Sequence, residues 1–160
     1  MDTVCLMSIL SDSQRDRCFS AAAEDYFYAN PIKRFGGRLF ANTFPFNRTE
    51  DPNASLAACR RILEQGCSLI FYPEGTRSTD GQIALFRRGI GAIVAGTPHP
   101  VVPVHIAGTF EAMPKNQHGL RRAPVRLTVG APMVFRNVEQ TDVGEIEIAR
   151  QLQERICSFI

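Results

Sequence analysis

Nowhere does this 160-residue sequence run apolar for the roughly 20 residues that a helix needs to cross a bilayer. Its start carries Asp2 where a secretory leader would carry a basic segment, and Asp12 follows soon after, so no signal peptide is expected. Net charge is scarce too: 18 Lys and Arg face 16 Asp and Glu, and the surplus of +2 is too small to imply a nucleic-acid binder. Weak attraction to an anionic membrane surface is compatible with that surplus, as it is for many unrelated proteins. The five cysteines (Cys5, Cys18, Cys59, Cys67 and Cys157) include no C-x-x-C pair and are odd in number. That pattern argues against a disulfide framework or a zinc site and for a reducing compartment. No local histidine signature accompanies any of them, so none reads as a nucleophile. The nucleotide-phosphate cradles G-x-x-x-x-G-K-[ST] and G-x-G-x-x-G are missing, which weakens the case for an unrelated phosphate-binding enzyme. Repeats, low-complexity tracts and interdomain linkers are absent as well.

What is present suits one globular domain with a real core: 44% of residues are apolar and 21% charged. Met1 to about Leu10 reads as a helix, ended by the polar turn Ser11-Asp12-Ser13. Cys18 to Ala23 reads as a short strand, leading to the aromatic segment Tyr26-Phe27-Tyr28 and a break at Asn30-Pro31. Lys33 to Phe40 mixes cations, aromatics and two glycines: a solvated loop or short helix, or else a patch facing a membrane or a phosphate. Phe40 to Phe46 reads as a second short strand ending at Asn47-Arg48. Asp51-Pro52-Asn53 marks a helix start with Asn53 as candidate N-cap; Leu56, Cys59, Ile62 and Leu63 share one face, and Gly66 closes the element. Cys59 and Cys67, in apolar surroundings, read as small core residues.

Cys67 to Tyr72 is apolar almost throughout, as expected of a central strand covered on both faces. It breaks at Pro73 into Glu74-Gly75-Thr76-Arg77-Ser78, an acid, a glycine, an arginine and hydroxyls in one short loop, the kind of set an α/β sheet delivers at a strand's carboxyl end. Arg87 to Ala95 reads as a helix stopped by Gly96 and Pro98, Val101 to Ala107 as a buried strand, Thr109 to Pro124 as loop and Val125 to Val129 as a third strand. Asp142 to Ile160 is an amphipathic helix with the stripe Ile146, Ala149, Leu152, Ile156 and Phe159. The expected architecture is α/β, a single domain with a mostly parallel or mixed central sheet flanked by helices.

The wording of the loop carries more than its composition. Phe71-Tyr72-Pro73-Glu74-Gly75-Thr76-Arg77-Ser78 resembles the F-P-E-G-T-R-S signature of the glycerolipid acyltransferases, the lysophosphatidate acyltransferase-like family. Asp80-Gly81 and Phe86-Arg87-Arg88-Gly89 resemble that family's following D-G and F-[KR]-x-G. Val102-Pro103-Val104-His105-Ile106-Ala107-Gly108 is similar to its V-P-V-x-I-x-G strand, and Phe44-Pro45-Phe46-Asn47-Arg48 to its F-x-x-R segment. The matches are ordered along the chain, and the resemblance extends over roughly Asp2 to Phe135.

The resemblance implies transfer of a fatty acyl group from acyl-CoA or acyl carrier protein to the hydroxyl of 1-acylglycerol-3-phosphate or a related lysophospholipid, at the cytoplasmic side of a membrane with peripheral attachment. The thioester is a co-substrate, and neither a further cofactor nor a metal is implied. Glu74, Gly75, Thr76 and Arg77 would bind the phosphorylated acceptor, with Arg48 as a second phosphate ligand. An arginine fork can engage two phosphate oxygens, and Gly75 lets the backbone approach. Read without the family, Glu74 and Arg77 could instead pair with each other and merely brace a turn.

One part of the family pattern is missing. An alcohol needs a general base, which the family supplies as the histidine of H-x-x-x-x-D. His99, His105 and His118 all follow the Glu74 loop, and none stands five residues before an aspartate. His105 reads as a packed, hydrogen-bonded strand residue, and His99 and His118 as exposed loop residues. Asp2 lies about where the family's aspartate would be relative to Arg48 and Glu74. Its histidine would then precede Met1, so the expectation is a domain over residues 1–160 that begins inside the catalytic motif. The alternative is a non-catalytic lipid- or phosphate-binding homologue or fragment.

Overall fold

The computed structural model describes residues 1–23, 42–47, 51–76, 78–113 and 121–160. The aromatic segment Tyr26–Tyr28, the Lys33–Phe40 patch, Arg48, Arg77 and His118 lie outside the described residues. The chain divides into two compact units, Asp2–Tyr72 and Pro73–Ile160.

In the first unit, α1 (Asp2–Ser8) and α2 (Asp12–Asp16) lead into β1 (Cys18–Ala23). A capping box starts α2: the Ser11 hydroxyl accepts from the Gln14 N–H, and Gln14 Oε1 accepts from the Ser11 N–H at 2.9 Å. β1 is the middle of a three-stranded parallel sheet in the order β2-β1-β3, with β2 at Thr43–Phe46 and β3 at Ser68–Ile70. Ser20 sits opposite Thr43, and Phe19 opposite Leu69. Cys18 and Ser20, alternate residues on one face of β1, are each 2% exposed. The strand expected to be central, Cys67–Tyr72, therefore stands at the edge of the sheet among the described residues, and its regular part is shorter. Nor are both faces covered: Ser68 is exposed and Leu69 and Ile70 are half-buried, so the apolar run by itself fixes neither burial nor hydrogen-bonding order.

Between β2 and β3 runs α3 (Pro52–Glu64), which packs on both strands. Its N-cap is Asp51, not Asn53: Asp51 Oδ1 accepts the Ala54 N–H at 2.9 Å. Pro52 explains the difference, because proline lacks an N–H and suits the first helical position, which makes the residue before it the cap. At the other end the Cys67 N–H reaches the Ile62 carbonyl (3.2 Å) and the Gly66 N–H the Leu63 carbonyl (2.9 Å). These two bonds form a Schellman motif, and they turn the chain directly into β3. Buried Ser55 accepts the Asn47 N–H at 2.9 Å, tying the end of β2 to the helix.

In the second unit, α4 (Gly89–Val94) is shorter than the expected Arg87–Ala95 and puts Ile90, Ile93 and Val94 into the core. β4 (Val104–Ala107) and β5 (Arg126–Val129) pair antiparallel, with His105 opposite Thr128, and a single Val101–Met133 bridge prolongs the ribbon. A one-turn helix, α5 (Thr109–Ala112), occupies part of the stretch read as loop. It is set by Gly108, whose absent Cβ would lie 1.9 Å from the Pro124 carbonyl oxygen, so the backbone turns where no side chain fits.

The last helix, α6 (Asp142–Cys157), is capped by Thr141, which accepts the Gly144 N–H at 3.2 Å. It buries Ile148, Ala149 and Leu152, whereas Ile146, placed in the apolar stripe by periodicity, is 57% exposed. The inward face runs through Glu145, Ile148, Ala149 and Leu152. Glu145 is drawn in because Gly91 of α4 meets its backbone, where a Cβ would come within 2.2 Å of its carbonyl oxygen. Arg88 also pairs with Glu145 at 3.5 Å and with Asp142. Among the described residues no helix is long and apolar enough to cross a membrane.

Candidate functional site

The loop after β3 begins at Pro73, and two hydrogen bonds close it on itself. The Arg87 N–H donates to the Pro73 carbonyl at 2.9 Å, and the Ala84 N–H to Glu74 Oε2 at 2.8 Å. Phe86 anchors the returning limb: its ring is buried and its N–H donates to Gln153 Oε1 at 3.0 Å. Between these points a hydroxyl organises a second turn. Ser78 Oγ accepts the Gly81 N–H at 2.8 Å and donates to Asp80 Oδ1 at 3.0 Å, and Asp80 Oδ1 also accepts the Gln82 N–H at 3.0 Å. The Gln82 N–H first, then the Ser78 hydroxyl, hold the Asp80 carboxyl below its usual range, since both bond its charged form. The Asp80-Gly81 match is thus a turn-forming device.

Gly75 has φ 69, in the left-handed region that side-chain-bearing residues avoid. The Arg87 side chain lies across it, with Cδ and Nε 3.1 Å from where a Gly75 Cβ would stand. Beside this backbone opens a depression of about 230 Å³, lined by Thr76, Ser78, Thr79, Asp80, Gln82, Ile83 and Ala84. Its hydroxyl groups can bond the oxygens of a ligand, Asp80 puts a carboxylate in the same wall, and the Arg87 cation lies across the neighbouring Gly75. Among the described residues no group of His, Cys, Asp and Glu is placed to hold a metal.

Glu74, Gly75 and Thr76, consecutive in the chain, stand at the neck of this loop, with Thr76 exposed at the rim of the depression. Glu74 braces the loop through the Ala84 N–H; the alternative pairing with Arg77 lies outside the described residues. Arg77 and Arg48 lie outside the described residues. Asp2 is half-buried and opens α1 in the first unit, whereas Glu74, Gly75 and Thr76 belong to the second.

Sequence reasoning passed over Tyr72 and Thr3. The two hydroxyl oxygens are 2.9 Å apart, so the start of α1 is pinned to the residue that ends the first unit. Burial pushes the Tyr72 phenol upward, the Thr3 hydrogen bond opposes this, and the nearby Asp2 charge adds to the rise. The available signal was Tyr72 itself, a hydroxyl where the signature has phenylalanine. His105, read as a packed, hydrogen-bonded residue of a buried strand, is only half-buried, and its ring makes no hydrogen bond among the described residues; His99 is half-buried where exposure was expected.

The family model described as Acyltransferase matches residues 1–107. A chloroplastic 1-acyl-sn-glycerol-3-phosphate acyltransferase of Brassica napus is 39% identical over 79 residues, 49% of this chain and 23% of that protein. A 1-acyl-sn-glycerol-3-phosphate acyltransferase of Cocos nucifera is 33% identical over 98 residues, 59% of this chain and 32% of that one. The chain thus spans about a quarter to a third of the length of these relatives. The crystal structure of a 1-acyl-sn-glycerophosphate acyltransferase from Thermotoga maritima superposes with a TM-score of 0.68 over 87% of this chain and 53% of that one; at 24% identity the likeness speaks for the fold alone. With two thirds of its length inside the family model, from α1 to the end of β4, the chain belongs to the acyltransferase family.

Proposed function

We propose that the chain takes part in acyl transfer from a thioester to the free hydroxyl of 1-acylglycerol-3-phosphate or a related lysophospholipid, with the loop at Glu74–Arg77 on the acceptor side. The observation that carries this reading is the left-handed Gly75, with the Arg87 side chain across it, beside a hydroxyl-lined depression in the segment that matches the family signature. Relatives named as 1-acyl-sn-glycerol-3-phosphate acyltransferases support the choice of acceptor. In the reaction the acceptor oxygen attacks the thioester carbonyl carbon, the C–S bond breaks, and the hydroxyl proton passes through a general base to the departing thiolate. Arg77 and Arg48 would hold the phosphate and Asp2 would orient the base. The donor is acyl-CoA or acyl carrier protein, and the acceptor's own acyl chain places the work at a membrane surface, reached peripherally from the cytoplasmic side.

A second reading, binding without transfer, is favoured by one observation: none of His99, His105 and His118 stands five residues before an aspartate. Loss of a general base costs on the order of a hundred- to ten-thousand-fold in rate. Calorimetric titration with a water-soluble 1-acylglycerol-3-phosphate, alongside an assay for phosphatidate formed from acyl-CoA, separates the two. Phosphate-dependent binding is expected, weakened by Arg77→Lys and Arg48→Lys because lysine cannot reproduce a two-pronged contact, and unchanged by Arg122→Lys. Equal small effects at all three arginines would remove the support for the phosphate assignment. Robust turnover abolished by His105→Ala would show that His105 is the base.

A further inference from the structure

The two arginines of Phe86-Arg87-Arg88-Gly89 are adjacent in sequence but have different surroundings. Arg88 is committed to the start of α6 through Asp142 and Glu145. Arg87 forms no ion pair among the described residues. Its side chain nevertheless does not extend freely into solvent: Cδ and Nε lie 3.1 Å, and Cζ 3.5 Å, from the position of an absent Gly75 Cβ. The root of that side chain is fixed at the neck of the loop, by its own N–H on the Pro73 carbonyl and by the buried Phe86 before it. The carboxylate at the neck, Glu74, accepts from the Ala84 N–H. An exposed guanidinium is thereby laid over the one residue of the Glu74–Arg77 segment that has no side chain.

We propose that Arg87 is a phosphate ligand of the acceptor site, placed over Gly75 to meet the oxygens of a phosphomonoester bound beside the Gly75–Thr76 backbone. The proposal rests on the acceptor reading given above and adds a residue to it. A phosphomonoester carries about 1.5 to 2 negative charges near neutral pH and presents three acceptor oxygens. One arginine fork engages two oxygens, so a second cation finds both charge and an oxygen left over.

The test is calorimetry on the purified 160-residue chain with a short-chain 1-acylglycerol-3-phosphate and with the matching monoacylglycerol, which lacks the phosphate. Arg87→Gln is expected to weaken binding of the phosphate-bearing ligand about tenfold to a hundredfold and to leave the monoacylglycerol unaffected. Arg122→Gln, as a control, should bind as the wild type does. Arg87→Lys keeps an aliphatic stem over Gly75 and should show an intermediate loss; it carries the test if the glutamine variant melts early. Wild-type affinity in the variants overturns the proposal, and so does an equal loss for both ligands, which would make Arg87 a brace of the loop. If the wild-type chain itself fails to prefer the phosphate-bearing ligand, the acceptor reading falls and takes this one with it. Preference retained in the wild type with no change in the variants removes Arg87 alone.

Discussion

A thiol reacts as its thiolate, and burial withholds that form from Cys59, which is 0% exposed and whose thiol is pushed up to about 12. Cys18 is raised by burial as well, whereas Cys157 lies exposed at the end of α6. In mildly alkaline buffer an aromatic disulfide reagent should therefore label Cys157 in the folded protein and reach Cys18 and Cys59 only after denaturation. Prompt labelling of Cys59 under native conditions would contradict its placement. Residues of this kind were partly legible in the sequence: Cys59 and Cys67 both read as core from their apolar surroundings, but Cys67 is only half-buried where the chain turns into β3. Asn53 lost the cap to Asp51 because Pro52 sets the frame locally, a rule present in the sequence. The Thr3–Tyr72 bond was not legible, since 69 positions separate its ends and nothing local signals the pair.

Helix propensity and packing make opposite predictions for α4, which lets one substitution decide between them. In an isolated helix Gly91→Ala should stabilise by about 1 kcal/mol. Here the added methyl would stand 2.2 Å from the Glu145 carbonyl oxygen and 2.5 Å from its Cα, both backbone atoms that cannot swing aside. Overpacking of that kind costs about 1–3 kcal/mol or more, so the packing term wins. A lower thermal midpoint is expected for Gly91→Ala, and a midpoint at or above wild type would mean that α4 and α6 do not meet this closely. The same contact explains the error in the apolar stripe of α6. Periodicity located the helix and its length to within three residues of Ile160, but the rotation about its axis is set by Gly91 and Arg88 on a partner helix. β4 and β5 were likewise legible as strands, whereas their antiparallel pairing with each other was not.

On the scale of the whole molecule, the family match covers α1 through β4 and leaves α5, β5 and α6 beyond it. The proposed peripheral attachment predicts sedimentation with anionic vesicles at low salt and release as salt screens the basic side chains, with little binding to neutral vesicles. Equal sedimentation with neutral vesicles in high salt would rule out an electrostatic anchor. The basic and aromatic stretch from Lys33 to Phe40, the candidate for that contact in the sequence, is the segment to neutralise first.

Four ordered motif matches, the spacing of apolar residues and the turn-forming dipeptides determined by themselves the α/β class, most helices and strands, and the family, because each depends on residues near one another in the chain. The role of Asp80-Gly81 as a hydroxyl-organised turn, the edge position of β3, the inward face of α6 and the laying of Arg87 across Gly75 were decided only by the tertiary structure. Each of these depends on which backbone closes against which, and a glycine marks the closest approaches without naming its partner: Gly91 gives no hint of Glu145, nor Gly75 of Arg87.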